Sequence, residues 1–369
     1  MNNLTRERSL RMRGAAIFMI YIHNLLHMVV SVRENEFFFL PMRAERILDS
    51  FLSFSSSFIA DFFSYFGWYG VPVFMFLSGY GLVMKYEREF TDGNTGRQVH
   101  LLQTFPYLWR NFLKLFILMA PCYLIYLLGT SLPVFSKMSL AQFTMTSNLY
   151  KPSLISPGVY WYFGLTLQFY IIYLLYHRFR SETFLWVTAF LMLAVSLAVA
   201  LFSDVRTNEY LRHNSPVWLP VFLVGMWYAR RKTVPGLGFI SKHRLATFLL
   251  LSILWLWSTV NVWLWVFSPL LVLPLFGLIC IPLCERVGKP GSLTSRLSAS
   301  FSRCLTYLGG ISAGLFVCHP VIRVLALKAY DLGCNLLIVT LVYAVLSVLV
   351  AAVYNLCYKR VMKKLLPKQ

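Results

Sequence analysis

Charged side chains are scarce in this sequence, and acidic ones are the scarcest. Only 13% of the 369 residues are Asp, Glu, Lys or Arg, while 58% are hydrophobic, and soluble domains usually carry about 25% charged residues. The chain therefore has too little polar surface for a water-soluble globule, and its composition predicts a polytopic membrane protein. The net charge of +20 does not indicate nucleic-acid binding, because the basic residues form no patch with interleaved aromatics.

Cysteine is also sparse. The chain has seven cysteines, and most fall in or beside apolar runs, so no disulfide framework is expected. Cys280 and Cys284 share one helical face, but no second pair accompanies them, and the sequence predicts no metal site. No A-x-A cleavage pattern follows the first apolar run, which is therefore interpreted as an uncleaved span and not as a signal peptide.

Apolar runs of membrane-spanning length are abundant. The sequence predicts an all-α protein with about ten spans in a single membrane-embedded domain over residues 1–369, with no fused soluble domain. Loops on the N-terminal side hold 25 of the 34 basic residues, which places both termini in the cytoplasm. The longest loops on the other side, 33–58 and 131–158, are long enough to cap a cavity. The predicted spans are 12–32, 59–84, 106–130, 159–177, 183–202, 216–230, 244–262, 264–284, 305–327 and 335–358.

The first apolar run, residues 11–30, carries the polar residues Arg13, His23, Asn24 and His27. On a straight helix His23 lies roughly 15 Å beyond Arg13, and His27 is one turn farther on the same face. A polar ring in hydrocarbon costs several kcal/mol unless it has a partner or faces a wet cavity. These side chains are therefore candidates for a functional site, and the alternative is that they only join helices by hydrogen bonds.

Other polar positions also stand out within the apolar runs. The span 59–84 contains Pro72, Ser78 and Gly79, which favour either close helix packing or a broken helix. Arg110 and Lys114 lie one turn apart at the inner end of the third span, where they either bind an anion or extend to the lipid headgroups. The candidate substrate-binding residues are Ser78, Tyr160, Trp161, Gln168, Ser312 and His319, with an interfacial aromatic belt as the alternative for the two aromatic ones.

Four stretches together resemble acyltransferase family 3, integral-membrane enzymes often described as O-acetyltransferases of surface glycans. Arg13-Gly14 with His23 is similar to the basic residue and histidine of the family's first helix. Residues 70–81, GVPVFMFLSGYG, resemble its F-F-x-L-S-G signature, residues 160–175 resemble its W-F-L segment, and Ser312 to His319 has the spacing of its late Ser-to-His element. The family's first spacing is eleven residues and here it is ten, which leaves open whether His23 or His27 is the catalytic imidazole.

The resemblance implies a multi-pass enzyme of the bacterial inner membrane that uses cytoplasmic acyl-CoA, in the first instance acetyl-CoA, as donor co-substrate. The expected acceptor is a glycan or lipid-linked sugar, and a separate extracytoplasmic transferase is an expected partner if the acyl group is handed on. His23 is then the base or covalent acyl relay, with His27 and Asn24 beside it. The residues expected to bind the donor phosphates are Arg13, Arg110 and Lys114.

A secondary transporter is the alternative function, because broken helices with polar residues at the midplane are also typical of transporters. The sequence shows neither an internal repeat nor a coupling carboxylate within a span, and both absences favour the enzyme.

Overall fold

The computed structural model describes residues 4–87, 101–150, 155–179, 181–231, 240, 242–284 and 292–365. Within these residues the backbone forms only α-helices and short 3₁₀ turns, which confirms the all-α prediction. The helices are α1 (Arg6–Val29), α2 (Pro41–Leu52), α3 (Phe58–Phe66), α4 (Gly70–Tyr86), α5 (Leu101–Gly129), α6 (Lys137–Phe143), α7 (Trp161–Phe179), α8 (Glu182–Phe202), α9 (Val205–Arg212), α10 (Ser215–Arg230), α11 (Arg244–Trp257), α12 (Val262–Cys284), α13 (Leu293–Asp331) and α14 (Leu336–Leu365).

Seven stretches of the described chain are long and apolar enough to cross a membrane. They coincide with seven of the ten predicted spans and consist of α3 with α4, α5, α7, α8, α12, α13 and α14. The ten-span count is not confirmed, because α10 and α11 have only 16 and 14 residues. Helix α1 has the length, but its histidines and arginines lower its hydropathy. The cytoplasmic placement of the termini stays a prediction.

The helices divide into a buried centre and an apolar periphery. In the most apolar stretches of α8 and α14 only 17% and 22% of the residues are buried, against 78% for α3 with α4. The outward faces of α8 and α14 expose large apolar side chains such as Phe190, Leu341 and Val345. Such apolar surfaces are stable in contact with lipid tails, so these faces of α8 and α14 fit the hydrocarbon region of a bilayer.

Helix α1 lies at the centre and packs directly on α13. A Cβ at Gly14 would overlap the carbonyl oxygen of Leu305, and one at Gly309 would overlap that of Leu10. The absence of side chains at this glycine pair lets the two backbones touch, which is how membrane helices approach closely. This crossing fixes the face of α1 that carries the two histidines relative to α13.

Helices α4 and α10 form a second close crossing. A Cβ at Gly79 would overlap the carbonyl oxygen of Phe222, and one at Gly225 would overlap that of Phe76. Gly79 therefore allows close helix packing. The span is not broken at Gly79 but farther towards its start. A 3₁₀ turn at Gly67–Tyr69 separates α3 from α4, and α4 then continues through Pro72 without interruption.

Candidate functional site

A cavity of about 430 Å³ opens beside the C-terminal half of α1. Its walls come from six helices, α1, α4, α5, α7, α9 and α13, from the 3₁₀ turn before α4, and from the segments that follow α1 and precede α7. Both segments that the sequence predicted to cap a cavity contribute side chains, including Glu34 from the first and Ile155 from the second. The candidate site residues that line it are His23, Asn24, His27 and Trp161.

The two histidines of α1 form a hydrogen-bonded pair. His23 Nδ1 lies 2.9 Å from the carbonyl oxygen of Ser64, and His27 Nδ1 lies 3.2 Å from His23 Nε2. A carbonyl oxygen can only accept, so His23 Nδ1 carries the proton and the Nε2 of the neutral ring is an acceptor. The hydrogen-bond network therefore assigns His27 Nδ1 as donor to His23.

Exposure distinguishes the two rings. The His23 side chain is 3% exposed and lies against Ser64 of α3, whereas His27 is half-buried. With Nδ1 occupied by His23, the remaining acceptor nitrogen of the pair is His27 Nε2, on a residue that lines the cavity. The pair thus has an anchored end at Ser64 and an open end at His27.

Glu34 completes a cluster with the histidine pair. One carboxylate oxygen of Glu34 and one ring nitrogen from each histidine all lie within 4.8 Å of one another. Its Oε2 is buried without a hydrogen-bond partner among the described residues. These three side chains could hold a metal ion, since two imidazoles and one carboxylate are a known zinc ligand set. The prediction of no metal stays untested.

Arg323 on α13 is a basic residue of this cavity that the sequence did not single out. Its side chain is 8% exposed, and Nη1 donates to both the backbone oxygen and the Oδ1 of Asn24, at 3.1 and 3.3 Å. The Asn24 amide in turn donates to Ile20 O at 2.8 Å. The sequence feature that could have identified Arg323 is its position four residues after His319, on the same helical face and inside a predicted span.

The opposite wall comes from the loop after α1 and the end of α9. The ring of His213 stacks on Phe37, with centroids 4.2 Å apart, and burial lowers the pKa of His213 to about 4. The guanidinium of Arg212 lies over the Trp265 ring at 3.7 Å, and its Nη1 donates to the backbone oxygen of Glu36 at 2.5 Å. Burial also raises the pKa of the Glu36 carboxyl well above its usual range, so burial favours the neutral forms of His213 and Glu36.

Several sequence candidates have local structural partners instead of facing the cavity. The Tyr160 hydroxyl donates to Val317 O at 2.8 Å, and Ser312 bonds Gly309 O at 2.9 Å within α13. Gln168 accepts from Ser215 N and donates to Asn214 Oδ1, each at 2.8 Å, which caps the start of α10. The structure does not bring these side chains into the cavity, and their roles as substrate contacts stay predictions.

Two further candidates contact residues that line the cavity: Ser78 contacts Tyr162, and His319 contacts Phe316. Ser78 is half-buried and bonds Phe74 O at 2.7 Å. His319 is completely buried and bonds Leu315 O at 3.0 Å, and its Nε2 has no hydrogen-bond partner among the described residues. It lies within electrostatic range of Arg323 and His23, so it belongs to the surroundings of the site.

Two of the three predicted donor-binding residues, Arg110 and Lys114, form a basic group with Lys85 away from the cavity. Lys114 is half-buried next to Lys85 and within electrostatic range of Arg110. The described residues place no carboxylate within 4.0 Å of any of the three. Arg13 is half-buried in another place, within electrostatic range of Tyr162, a residue that lines the cavity.

A comparison with protein-family models matches residues 11–356 to one described as an acyltransferase domain, of family 3. The match covers the cavity, the basic group and nearly the whole chain. No curated protein matches the chain, and no solved structure matches it.

Proposed function

Because this chain belongs to acyltransferase family 3, we propose that it moves an acyl group, in the first instance acetyl, from cytoplasmic acyl-CoA to a hydroxyl of a cell-surface or lipid-linked glycan. The family match confirms the resemblance drawn from the sequence, and the apolar helices make the chain a multi-pass membrane protein. The donor, the acceptor, the roles of the histidines and the bacterial inner membrane as location belong to the proposal.

The observation that carries the proposal is the histidine pair in the cavity. Acyl transfer to a hydroxyl needs a base that removes the hydroxyl proton, and positioned acid-base groups typically accelerate such a step by 10² to 10⁴-fold. His27 Nε2 is the nitrogen that is open to an acceptor hydroxyl, and His23 orients the His27 ring through the 3.2 Å hydrogen bond. A base oriented by a second buried group is the arrangement found in nucleophilic enzymes.

This geometry favours general-base catalysis over a covalent relay on His23. An acyl group can be carried only by an unprotonated ring nitrogen, and His23 Nε2 is already the acceptor for His27. Its Nδ1 is held by the Ser64 carbonyl. We therefore assign the base to His27 and the orienting role to His23.

The basic group of Lys85, Arg110 and Lys114 is the proposed site for the CoA phosphates. Like charges held together without a carboxylate are stabilised when an anion binds between them. Tyr126, which lines the cavity, is twelve residues beyond Lys114 on α5, or about 18 Å along the helix. In acyl-CoA the phosphopantetheine arm separates the phosphates from the thioester. Phosphates bound at the basic group would therefore leave the thioester free to reach the cavity.

The acceptor is proposed to enter the cavity from the side of the loop after α1. Trp161 and Phe37 offer flat apolar faces there, and the carboxyls of Glu34 and Glu209 offer hydrogen-bond groups for sugar hydroxyls. If the acyl group is handed on at the outer surface, a separate extracytoplasmic transferase completes the reaction.

The experiment is acyl transfer from radiolabelled acetyl-CoA by the purified protein in detergent, with cell-envelope glycolipids as acceptor and His27→Ala as control. We expect label in the glycan fraction from wild type and at most about a hundredth as much from the variant. Accumulation of a glycolipid in proteoliposomes without acetyl-CoA turnover would instead favour the transporter.

Treatment with a chelator, together with metal analysis, tests whether the histidine pair acts as a base or binds a metal ion. Loss of activity that Zn²⁺ restores would show that a metal ion, and not imidazole base catalysis, carries the reaction.

A further inference from the structure

Arg323 is a buried cation whose local contacts leave its charge unbalanced. Only its Nη1 has hydrogen-bond partners among the described residues, and both acceptors belong to Asn24. The same part of the chain places no carboxylate within 4.0 Å of the guanidinium, and Glu34 forms no ion pair with it. A buried, uncompensated charge is strongly destabilising.

A structural role for Arg323 does not explain the charge. The bonds to Asn24 join α13 to α1, but a neutral amide could donate them equally well. Arginine stays protonated in proteins, so the positive charge is permanent. A permanent charge beside a cavity in a membrane protein indicates that an anion occupies the cavity during function.

The position of Arg323 indicates which anion this is. It lines the same cavity as His27, and its anchor Asn24 adjoins His23 in sequence. Arg323 lies within electrostatic range of both imidazoles. Addition of a hydroxyl to a thioester requires a base that takes the hydroxyl proton and a positive group that stabilises the oxyanion. His27 and Arg323 place one group of each kind at the same cavity.

We propose that Arg323 stabilises the oxyanion of the tetrahedral intermediate, an inference that rests on the proposed acyl transfer. The acceptor oxygen bonds to the thioester carbonyl carbon while its proton passes to His27 Nε2, and the carbonyl π electrons move to the oxygen that faces Arg323. When the carbonyl re-forms, the carbon–sulfur bond breaks, and the CoA thiolate leaves and takes the proton from His27. The oxyanion exists only between these steps, so Arg323 acts on turnover more than on substrate binding.

The kinetic test compares Arg323→Gln and Arg323→Lys with Lys328→Gln, which removes an exposed charge from the same helix. We expect Arg323→Gln to lower kcat by about 10² to 10³-fold with the acetyl-CoA KM within about twofold, as when an oxyanion donor is removed. Arg323→Lys should lose less, and Lys328→Gln should match wild type. A kcat for Arg323→Gln within about threefold of wild type would overturn the proposal, as would a loss confined to the acceptor KM, which would indicate a permanent anion on the acceptor.

A binding test covers variants that fold poorly or turn over too slowly. The probe is a trifluoromethyl ketone analogue of acetyl-CoA, whose hydrate is tetrahedral and becomes anionic. Wild type should bind it at least about 100-fold more tightly than acetyl-CoA. Arg323→Gln should lose most of that difference and Arg323→Lys part of it, while both variants bind acetyl-CoA normally. Equal preference for the analogue in wild type and both variants would contradict the role of Arg323 alone. No binding of acetyl-CoA by wild type would contradict the proposed function itself, and the role of Arg323 with it.

Discussion

His27 Nδ1 lies 3.2 Å from His23 Nε2, and the far nitrogen of His23 lies 2.9 Å from the Ser64 carbonyl oxygen. The two rings therefore form one chain of hydrogen bonds that begins at a backbone carbonyl of α3 and ends in the cavity. A proton taken up at the open end can be shared along this chain, and the Glu34 carboxylate within 4.8 Å offsets the positive charge. In the proposed mechanism the deeper ring, His23, orients the shallower ring, His27, which acts as the base.

The crossing of α4 and α10 predicts a sharp contrast between two glycines. Gly79→Ala should lower the yield of folded protein and its unfolding temperature, because the new Cβ would overlap the backbone of Phe222. Gly81→Ala is the matched control on the same helix, since no atom lies within 4 Å of a Cβ there. Fluorescence-detected gel filtration and thermal unfolding in detergent measure both. Equal behaviour of the two variants would show that this crossing is not close-packed.

The basic group predicts a selective effect on the donor. Lys114→Gln or Arg110→Gln should raise the acetyl-CoA KM several-fold more than it lowers kcat, because the phosphates bind far from the reacting carbon. The salt dependence of the KM should weaken as well. Lys364→Gln, on the exposed end of α14, is the control. An unchanged acetyl-CoA KM would indicate that Arg110 and Lys114 extend to the lipid headgroups and do not bind the donor.

His213 predicts how stability depends on pH. Its pKa is lowered to about 4 from an ordinary 6.5, so its contribution is fully present above pH 6.5 and is lost as the pH falls through about 4. The loss over this window is roughly 3 kcal/mol. The raised pKa of Glu36 has the opposite effect on stability as the pH falls, so the contribution of His213 has to be isolated with a variant. His213→Gln should show a smaller fall in unfolding temperature between pH 7 and pH 4 than wild type. A parallel fall in wild type and variant would assign the pH dependence to other groups.

The predicted orientation can be tested with exposed cysteines. Cys334 is exposed between α13 and α14, and Phe135, which is 99% exposed, precedes α6. A membrane-impermeant maleimide should label Cys334 and a Phe135→Cys variant in intact cells, and should label the exposed Cys357 only after permeabilisation. Single-cysteine variants make each signal specific. The reverse pattern would place the termini outside.

Hydrophobic length and composition were sufficient to predict the long apolar helices, but not the short helices α2, α6 and α9 in the predicted loops. A helix is found at each of the ten predicted spans, because an apolar run in lipid must satisfy its backbone internally. The number of crossings was harder to predict, since α10 and α11 are short and α1 is interrupted by polar side chains. The 3₁₀ turn at Gly67–Tyr69 was missed because proline is the stronger helix-breaking signal in sequence, and Pro72 lies in the first turn of α4, where it is tolerated.

The candidate site was predictable only where one helix carried it. Helical spacing places His23 and His27 on one face, which the structure shows, but spacing cannot reveal that His23 is held by Ser64, 41 residues away. Arg323 lies near the end of the predicted span 305–327, and the sequence did not single it out. Its contact with Asn24 joins residues 299 apart in sequence, and only the crossing of α1 and α13 brings them together.

The central claim is that the two imidazoles act as one catalytic unit with His27 as the base. The most direct measurement is a double-mutant cycle on acyl transfer, with His23→Ala, His27→Ala and the double variant purified at matched folding. We expect each single variant to lose about 10² or more in kcat and the double variant to lose little beyond the worse single one, because groups that act as a unit are not additive. Retained activity in both single variants, or losses that multiply in the double variant, would contradict this account.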